Sequence, residues 1–486
     1  MHRTLKSLAI AALLGVTLSG CSDFLSGPTV DEDPNNPTVG ATSADNLFAG
    51  FQASQFTTYS STLAFTICGF VQQCKGVNGR FVETQLTEYN TSPLTFDINF
   101  IGVYALGGLR DLREVQAKLD ARTVQDPLYE GITHVWEALV ISEAADKWGD
   151  IPYSDAGNDA VQAPALDDQL AIYNALVALL DQAVVEMADP TGVGPGGVDF
   201  VYGGTAAAWT AMAHTLKARI LLHTLRHPSV CGPTITAACA VLPTIVAETN
   251  LGLPTDGSGD FTTVVGGGSA QEQNGWYQFY ASSGFDDDLR AGDYITTIMS
   301  TRNAGGPDPR FDAYFVPPED PSVGRPADGL GFFIARQMTP GPGNPAFPQP
   351  WVTGDENALI RAEANFYLGG AGAAQADLDA VRVTKYGLNA VAATLPAIME
   401  EKYVSLFQSP EVWNDYKRTG CPTLVSTSTQ ALGPVGAEIP RRLYYGQSEF
   451  DVNSNVPDAS TQVGAGAPNQ PGFRNDNDPA PDPTCT

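Results

Sequence analysis

Apolar positions along this chain recur mostly at helical spacing, and the clearest run lies within Tyr129–Tyr153, YEGITHVWEALVISEAADKWGDIPY. Ile132, Trp136, Leu139, Ala144 and Trp148 mark one apolar stripe. Asp126 and Pro127 ahead of it supply a side-chain cap and a fixed φ suited to the first turn. Gly149 and Pro152 end it, because one relaxes the last turn and the other cannot continue the helix. The same period predicts helices over about 43–60 (Leu47, Phe51, Phe56), 99–121 (Tyr104, Leu112), 167–187 (Tyr173, Leu176, Leu180, Met187), 205–225 (Trp209, Met212, Leu216, Ile220) and, more briefly, 233–249. From 252 to 354 the periodicity fails: Gly266–Gly268, Gly305-Gly306 and the proline-rich run 340–350 interrupt it while aromatic residues crowd in. It returns over 356–368, 373–386 and 395–408.

Helices of this kind, stacked as helix–loop–helix pairs, bury faces that no single unit can cover. The tetratricopeptide consensus itself is absent. The expected fold is therefore mainly α: one large domain of stacked tetratricopeptide-like helical pairs (43–455), carrying an irregular loop-rich lobe over about 252–354. Composition fits this picture. Among 486 residues 43% are hydrophobic, enough for a substantial core, while 49 glycines and 35 prolines imply long irregular connections. The balance of 26 basic against 54 acidic residues gives a formal charge of −28, which argues against nucleic acid and against electrostatic docking on anionic lipid.

Residues 1–20 have the basic end and short apolar run of a secretory signal, and Leu18-Ser19-Gly20-Cys21 has the form of a bacterial lipobox, cleaved before an acylated Cys21. The Pro/Asn/Asp-rich stretch to residue 42 then reads as a spacer. No later segment is long and apolar enough to span a bilayer, so the expected attachment is a lipid tether. The six remaining cysteines, an even number, suit an oxidising compartment. Proximity favours Cys68–Cys74 and Cys231–Cys239, leaving Cys421–Cys485 to tie down a tail (456–486) expected to be weakly ordered.

Several phrases together resemble the SusD/RagB family of outer-membrane nutrient-binding lipoproteins. They are Asp33–Pro37; Trp148-Gly149-Asp150-Ile151-Pro152-Tyr153; Gly275-Trp276-Tyr277-Gln278-Phe279; Asp308-Pro309-Arg310-Phe311; Glu401-Lys402 through Trp413–Arg418; and Ile439-Pro440-Arg441-Arg442 through Glu449 and Asn453. Three positions depart from the family pattern: Lys402 stands where Arg is usual, Ser409-Pro410-Glu411 replaces a small turn, and Tyr445 replaces Pro. The resemblance implies a helical SusD-like fold and a cell-surface protein of the outer membrane. It also implies a SusC-like TonB-dependent transporter as partner, with an oligosaccharide, or in some relatives a peptide, as ligand.

Signals for covalent chemistry are weak. His223 and His227 stand at i, i+4 but lack the glutamate of a His-Glu-x-x-His site, and a half-exposed helix end is the plainer reading. There is no Gly-x-Ser-x-Gly elbow and no phosphate loop. Asp286-Asp287-Asp288 could serve as glycosidase carboxylates but reads equally as a solvated turn, and Asp476–Asp478 lacks the spacing of a calcium loop. No cofactor is expected. Sugars bind through apolar C–H faces and hydroxyls, so a site needs flat aromatic faces beside polar groups. Trp276, Tyr277 and Tyr280 with Arg290 are the expected ligand-binding set, and the family resemblance implies Phe81 and Tyr89 as the second side of the site. The alternative for Trp276 and Phe279 is that they form the lobe's own core. A secreted glycoside hydrolase and a purely protein-binding scaffold are the competing functional classes.

Overall fold

The computed structural model describes residues 42–76, 85–158, 160–269, 272–281, 289–304, 306–316, 334–335, 345–427, 438–457, 475, 477–478 and 483–485. The signal segment, Cys21 and the spacer up to residue 41 lie outside them. Helices dominate: α1 (Ala44–Tyr59), α2 (Thr62–Phe70), α3 (Asp97–Tyr104), α4 (Leu109–Asp120), α5 (Pro127–Trp148), α6 (Gln169–Met187), α7 (Ala206–Thr224), α8 (Leu242–Thr249), α9 (Gly275–Ala281), α10 (Asp293–Thr301), α11 (Gly354–Asp379), α12 (Leu395–Ser405), α13 (Glu411–Thr419) and α14 (Gln447–Val452). Sheet among the described residues is confined to three two-stranded antiparallel ribbons: β1 (Cys74–Gly76) with β3 (Leu289–Ala291), β2 (Phe261–Thr262) with β6 (Pro350–Val352), and β4 (Phe315–Val316) with β5 (Ile334–Ala335).

The helices pack in series, α1 on α4, α4 on α5, and so on through α6, α7, α8, α11 and α12. This is the stacked arrangement that the amphipathic pattern requires. Helix α5 lies at its centre. The Asp126 carboxylate caps the Tyr129 N–H and also accepts from the N–H groups of Val193 and Gly194, joining the start of α5 to the loop after α6. Trp136 is fully buried in a knot of rings, with Phe51, Phe261, Trp351 and Trp209 between 5.1 and 6.1 Å away. Phe261 and Trp351 belong to β2 and β6, so the two ends of the expected lobe are built into the helical core.

Three local expectations are corrected. The stretch 99–121 is two helices, because Leu106 and Gly107 take positive φ (57° and 86°) and the Asp111 carboxylate accepts from the Gly107 N–H. A helix also occupies Thr62–Phe70, where the apolar period predicts none. The helix expected over 233–249 begins only at Leu242, after the Cys231–Cys239 loop.

Disulfides join Cys68 to Cys74, Cys231 to Cys239 and Cys421 to Cys485. The third sets residues 483–485 against the end of α13. Gly420 has φ +69°, and a Cβ there would come 2.1 Å from the Pro483 carbonyl oxygen. Gly149, also at positive φ, lets Asn475 approach so closely that a Cβ would meet its Oδ1 at 2.9 Å. Asn475 then donates to the Asp146 carbonyl (2.7 Å). Closing a loop of 64 residues is worth about 4 kcal/mol in chain entropy, against about 2 for the six-residue Cys68–Cys74 loop. Removing Cys421 and Cys485 together is thus expected to lower the melting temperature roughly twice as far as removing Cys68 and Cys74, measured by calorimetry.

Candidate functional site

The lobe is held by a small apolar cluster of Ala64, Phe65, Cys68, Cys74, Leu86, Trp276 and Leu289. Asn274 starts α9, its Oδ1 accepting from the N–H groups of Trp276 (2.9 Å) and Tyr277 (3.3 Å). Its side-chain amide donates to the Phe347 carbonyl, tying the helix to the segment that leads into β6. Helical geometry then sorts the aromatics. Trp276 and Phe279, three apart, share a face and both meet Phe65, at 4.4 and 4.9 Å between ring centroids. Tyr277 lies on another face and is half-buried.

The expected ligand set therefore divides. Trp276 is 0% exposed and Tyr89 1%, so neither presents a ring to solvent. Tyr89 packs edge-on against Phe70 (5.7 Å), with its hydroxyl against Thr427 Oγ1 (3.0 Å). In this structure both are core residues, as the alternative for Trp276 had it. Tyr277 and Arg290 remain accessible in part. Arg290 sits on β3 directly opposite Lys75 on β1, and Lys75 is held by Asp293 at 2.6 Å. Phe81, the side chain of Tyr280, and Asp286–Asp288 lie outside the described residues.

Two of the phrases that carry the family resemblance, Asp308–Phe311 and Glu401 through Arg418, take part in buried ion-pair networks. In the first, Glu401 on α12 is fully buried and accepts from Arg302 (2.6 Å), Arg310 (2.8 Å) and Arg382 (3.1 Å). Asp308 accepts from Arg302 and from both ends of the Arg310 guanidinium. Burial raises the pKa of the Glu401 carboxyl, but Arg302 and Arg310 outweigh it and hold it below the usual carboxylate range. In the second, Arg418 binds Glu363 with both terminal nitrogens and reaches Asp415, while Lys402 pairs with Asp415 at 2.8 Å. Lys402 thus supplies the cation that the family's Arg would.

The third network centres on His223, buried between two carboxylates. Its Nε2 lies 2.7 Å from Glu411 Oε1 and its Nδ1 2.9 Å from Asp146 Oδ1, the latter N–H poorly aligned, so that contact is chiefly ionic. Arg219, bidentate to Glu356, stands 4.0 Å from Glu411. Burial pushes the imidazole toward neutrality, but Asp146 and Glu411 prevail and raise its pKa to about 10. With both ring nitrogens at contact distance from a different acid, the imidazolium itself fills the place a metal ion would take among these three groups. His227 lies beyond the end of α7 and accepts from the Ser229 N–H. Finally, the Trp148–Tyr153 turn is clasped by the Pro440–Tyr445 segment: Trp148 Nε1 donates to the Tyr444 carbonyl, Arg442 to that of Trp148, and the Tyr445 hydroxyl to that of Asp150.

A family model described as starch-binding and associating with the outer membrane matches residues 34–332. Among solved structures, a chitin-binding protein superposes with a TM-score of 0.66 at 19% identity, covering 90% of this chain and 99% of its own. A SusD/RagB family protein from Bacteroides thetaiotaomicron gives 0.64 at 20% identity, over 86% and 95%. A chitin-binding SusD homologue from Flavobacterium johnsoniae gives 0.66 at 17%, over 90% and 99%. No curated protein matches the sequence. At such identities the structural likeness speaks for the fold alone, and it extends over nearly the whole chain. With a family model matching more than half of its length, the protein belongs to the SusD-like family.

Proposed function

We propose that this protein captures glycan at the outer-membrane surface and passes it to a TonB-dependent transporter of SusC type, doing no covalent chemistry itself. The observation that carries the reading is the family match over residues 34–332. Two chitin-binding structural relatives support a saccharide over a peptide. The lipobox at Cys21 supports a lipid tether, which would hold captured ligand at high effective concentration over the transporter mouth. Within the lobe, the reading assigns ligand contact to Tyr277 and Arg290, which among the described members of the expected set have accessible surface.

Calorimetric titration of the chain from Ser22 onward with starch and chitin oligosaccharides, and with peptides, tests this. Tyr277→Ala is expected to weaken saccharide binding at least about tenfold with an unchanged melting temperature. Trp276→Ala is expected instead to destabilise the fold by about 3 kcal/mol, since it empties a packed site. Binding of peptides alone would sink the saccharide reading. Saccharide affinity that Tyr277→Ala leaves intact would remove the lobe as its place.

A further inference from the structure

A second concavity lies away from the lobe, on the side of the helical stack. Phe100 and Tyr104 of α3 form its floor with Pro152, and Gln162, Glu449 and Val452 stand around it. Its free volume is about 230 Å³, less than the roughly 300–1,000 Å³ that takes a drug-sized ligand whole and suited to one ring of a larger one. Its walls come from three separate segments, and side chains fix each one. Arg113 donates to the carbonyls of Tyr153 and Ala156 on the loop after α5. Asn453 and Asn455 donate to the carbonyls of Pro164 and Ala163 on the far side. Asp97, the first residue of α3, accepts from the N–H and hydroxyl of Ser448 and so pins α14. A cavity braced in this way is formed before any ligand arrives, so little ordering cost falls on binding.

The lining indicates the ligand class. The Tyr104 ring is half-buried, tilted against Phe100 at 5.4 Å, and its hydroxyl is buried with no partner among the described residues. Glu449 has one oxygen on Asn453 (2.7 Å), and Gln162 brings an exposed amide. Apolar walls, the Tyr104 ring among them, with an amide and a carboxylate at the edge suit a ring with C–H faces and several hydroxyls. An alkyl chain would leave those polar groups unanswered, and an anion would meet Glu449 on a chain of charge −28. We propose that this pocket is a second saccharide site, separate from the lobe, taking one end of an oligosaccharide. The proposal rests on the reading of the protein as a glycan binder but uses none of the lobe residues.

The test titrates maltose, cellobiose and N,N′-diacetylchitobiose, to millimolar concentration, into the chain from Ser22 onward and into three variants. Val452, 72% exposed at the pocket edge, tolerates Val452→Trp, which fills the mouth. Gln162→Ala removes the exposed amide, and Tyr277→Ala reports on the lobe. At least one disaccharide is expected to show two binding events. Val452→Trp should weaken one of them at least about tenfold, Gln162→Ala should weaken the same one less, and Tyr277→Ala should affect only the other. A single event lost in Val452→Trp and kept in Tyr277→Ala upholds the pocket and overturns the lobe. Every event unchanged by Val452→Trp and Gln162→Ala overturns the pocket whatever Tyr277→Ala does. Silence from all three disaccharides, or a lysine dipeptide binding there in their place, overturns it as well.

Discussion

Glu401→Ala is expected to cost about 5 kcal/mol, enough to leave a typical domain of 5–15 kcal/mol close to unfolding. The carboxylate is the shared acceptor of three guanidiniums, from Arg302, Arg310 and Arg382, all buried or nearly so. Asp308 retains Arg302 and Arg310 in part, but Arg382 keeps only the carbonyls of Asn389 and Arg302. Removing one partner of a buried pair strands charge in a low-dielectric interior, which costs far more than the pair contributes. Glu400 is the internal control. Its carboxylate meets Arg302 from a more exposed position, and Glu400→Ala should cost under about 1 kcal/mol. Denaturant unfolding followed by tryptophan fluorescence measures both. Equal losses for the two variants would show that the guanidiniums are solvated and that the network is not what holds α12 in place. Because Glu401 titrates below its unfolded value, its contribution is present above that value and fades as pH falls through the lower folded one.

His223 predicts the opposite end of the pH scale. Its folded pKa, about 10, lies above the unfolded value of about 6.5. The stability it contributes is therefore complete below about pH 6.5 and is lost as pH rises toward 10. His223→Gln keeps a donor but no charge, leaving Asp146 and Glu411 buried without their cation, and should cost about 3–5 kcal/mol at pH 6. The difference between wild type and variant should shrink steadily from pH 7 to 10. Tyr173, Lys417 and Arg219 face the site in both proteins, so the difference between them reports chiefly the loss of the His223 charge. A gap that stays constant across this window would mean that His223 is neutral in the folded protein.

What could be read from the sequence was what depends on near neighbours. The stripes of α5, α6 and α7 are local and periodic, and so are the Asp126-Pro127 start and the Gly149 stop. Thr62–Phe70 was missed because TLAFTICGF is apolar on every side and offers no period to detect. The break at Leu106–Gly107 was missed because apolar residues before and after it happen to keep helical phase. The lobe failed for a different reason. Sequence shows that aromatics cluster there, but only packing on Phe65 decides that Trp276 turns inward and Tyr277 does not. The ion-pair networks were invisible as such, since Arg219 and Glu356 are 137 positions apart and no local pattern links them. Asp308, Arg310, Glu401, Lys402, Asp415 and Arg418 nevertheless lie within family phrases, whereas Arg219, Glu356, Arg302 and Arg382 do not. Those phrases are recognisable because they are structural, and for that reason they reveal the fold more readily than the ligand.

The span of the third network has a consequence for when the protein can become itself. Asp146 is buried on the central helix, yet its partners arrive late: His223 on α7, then Asn414, 268 positions downstream, and lastly Asn475 from the tail. A nascent chain stopped anywhere before α13 holds a carboxylate at the heart of its stack with no full set of partners. Its early helices can pair, but they cannot close. Contacts of such long separation also slow the final step. The third network is therefore complete only when nearly all of the chain is present in one place.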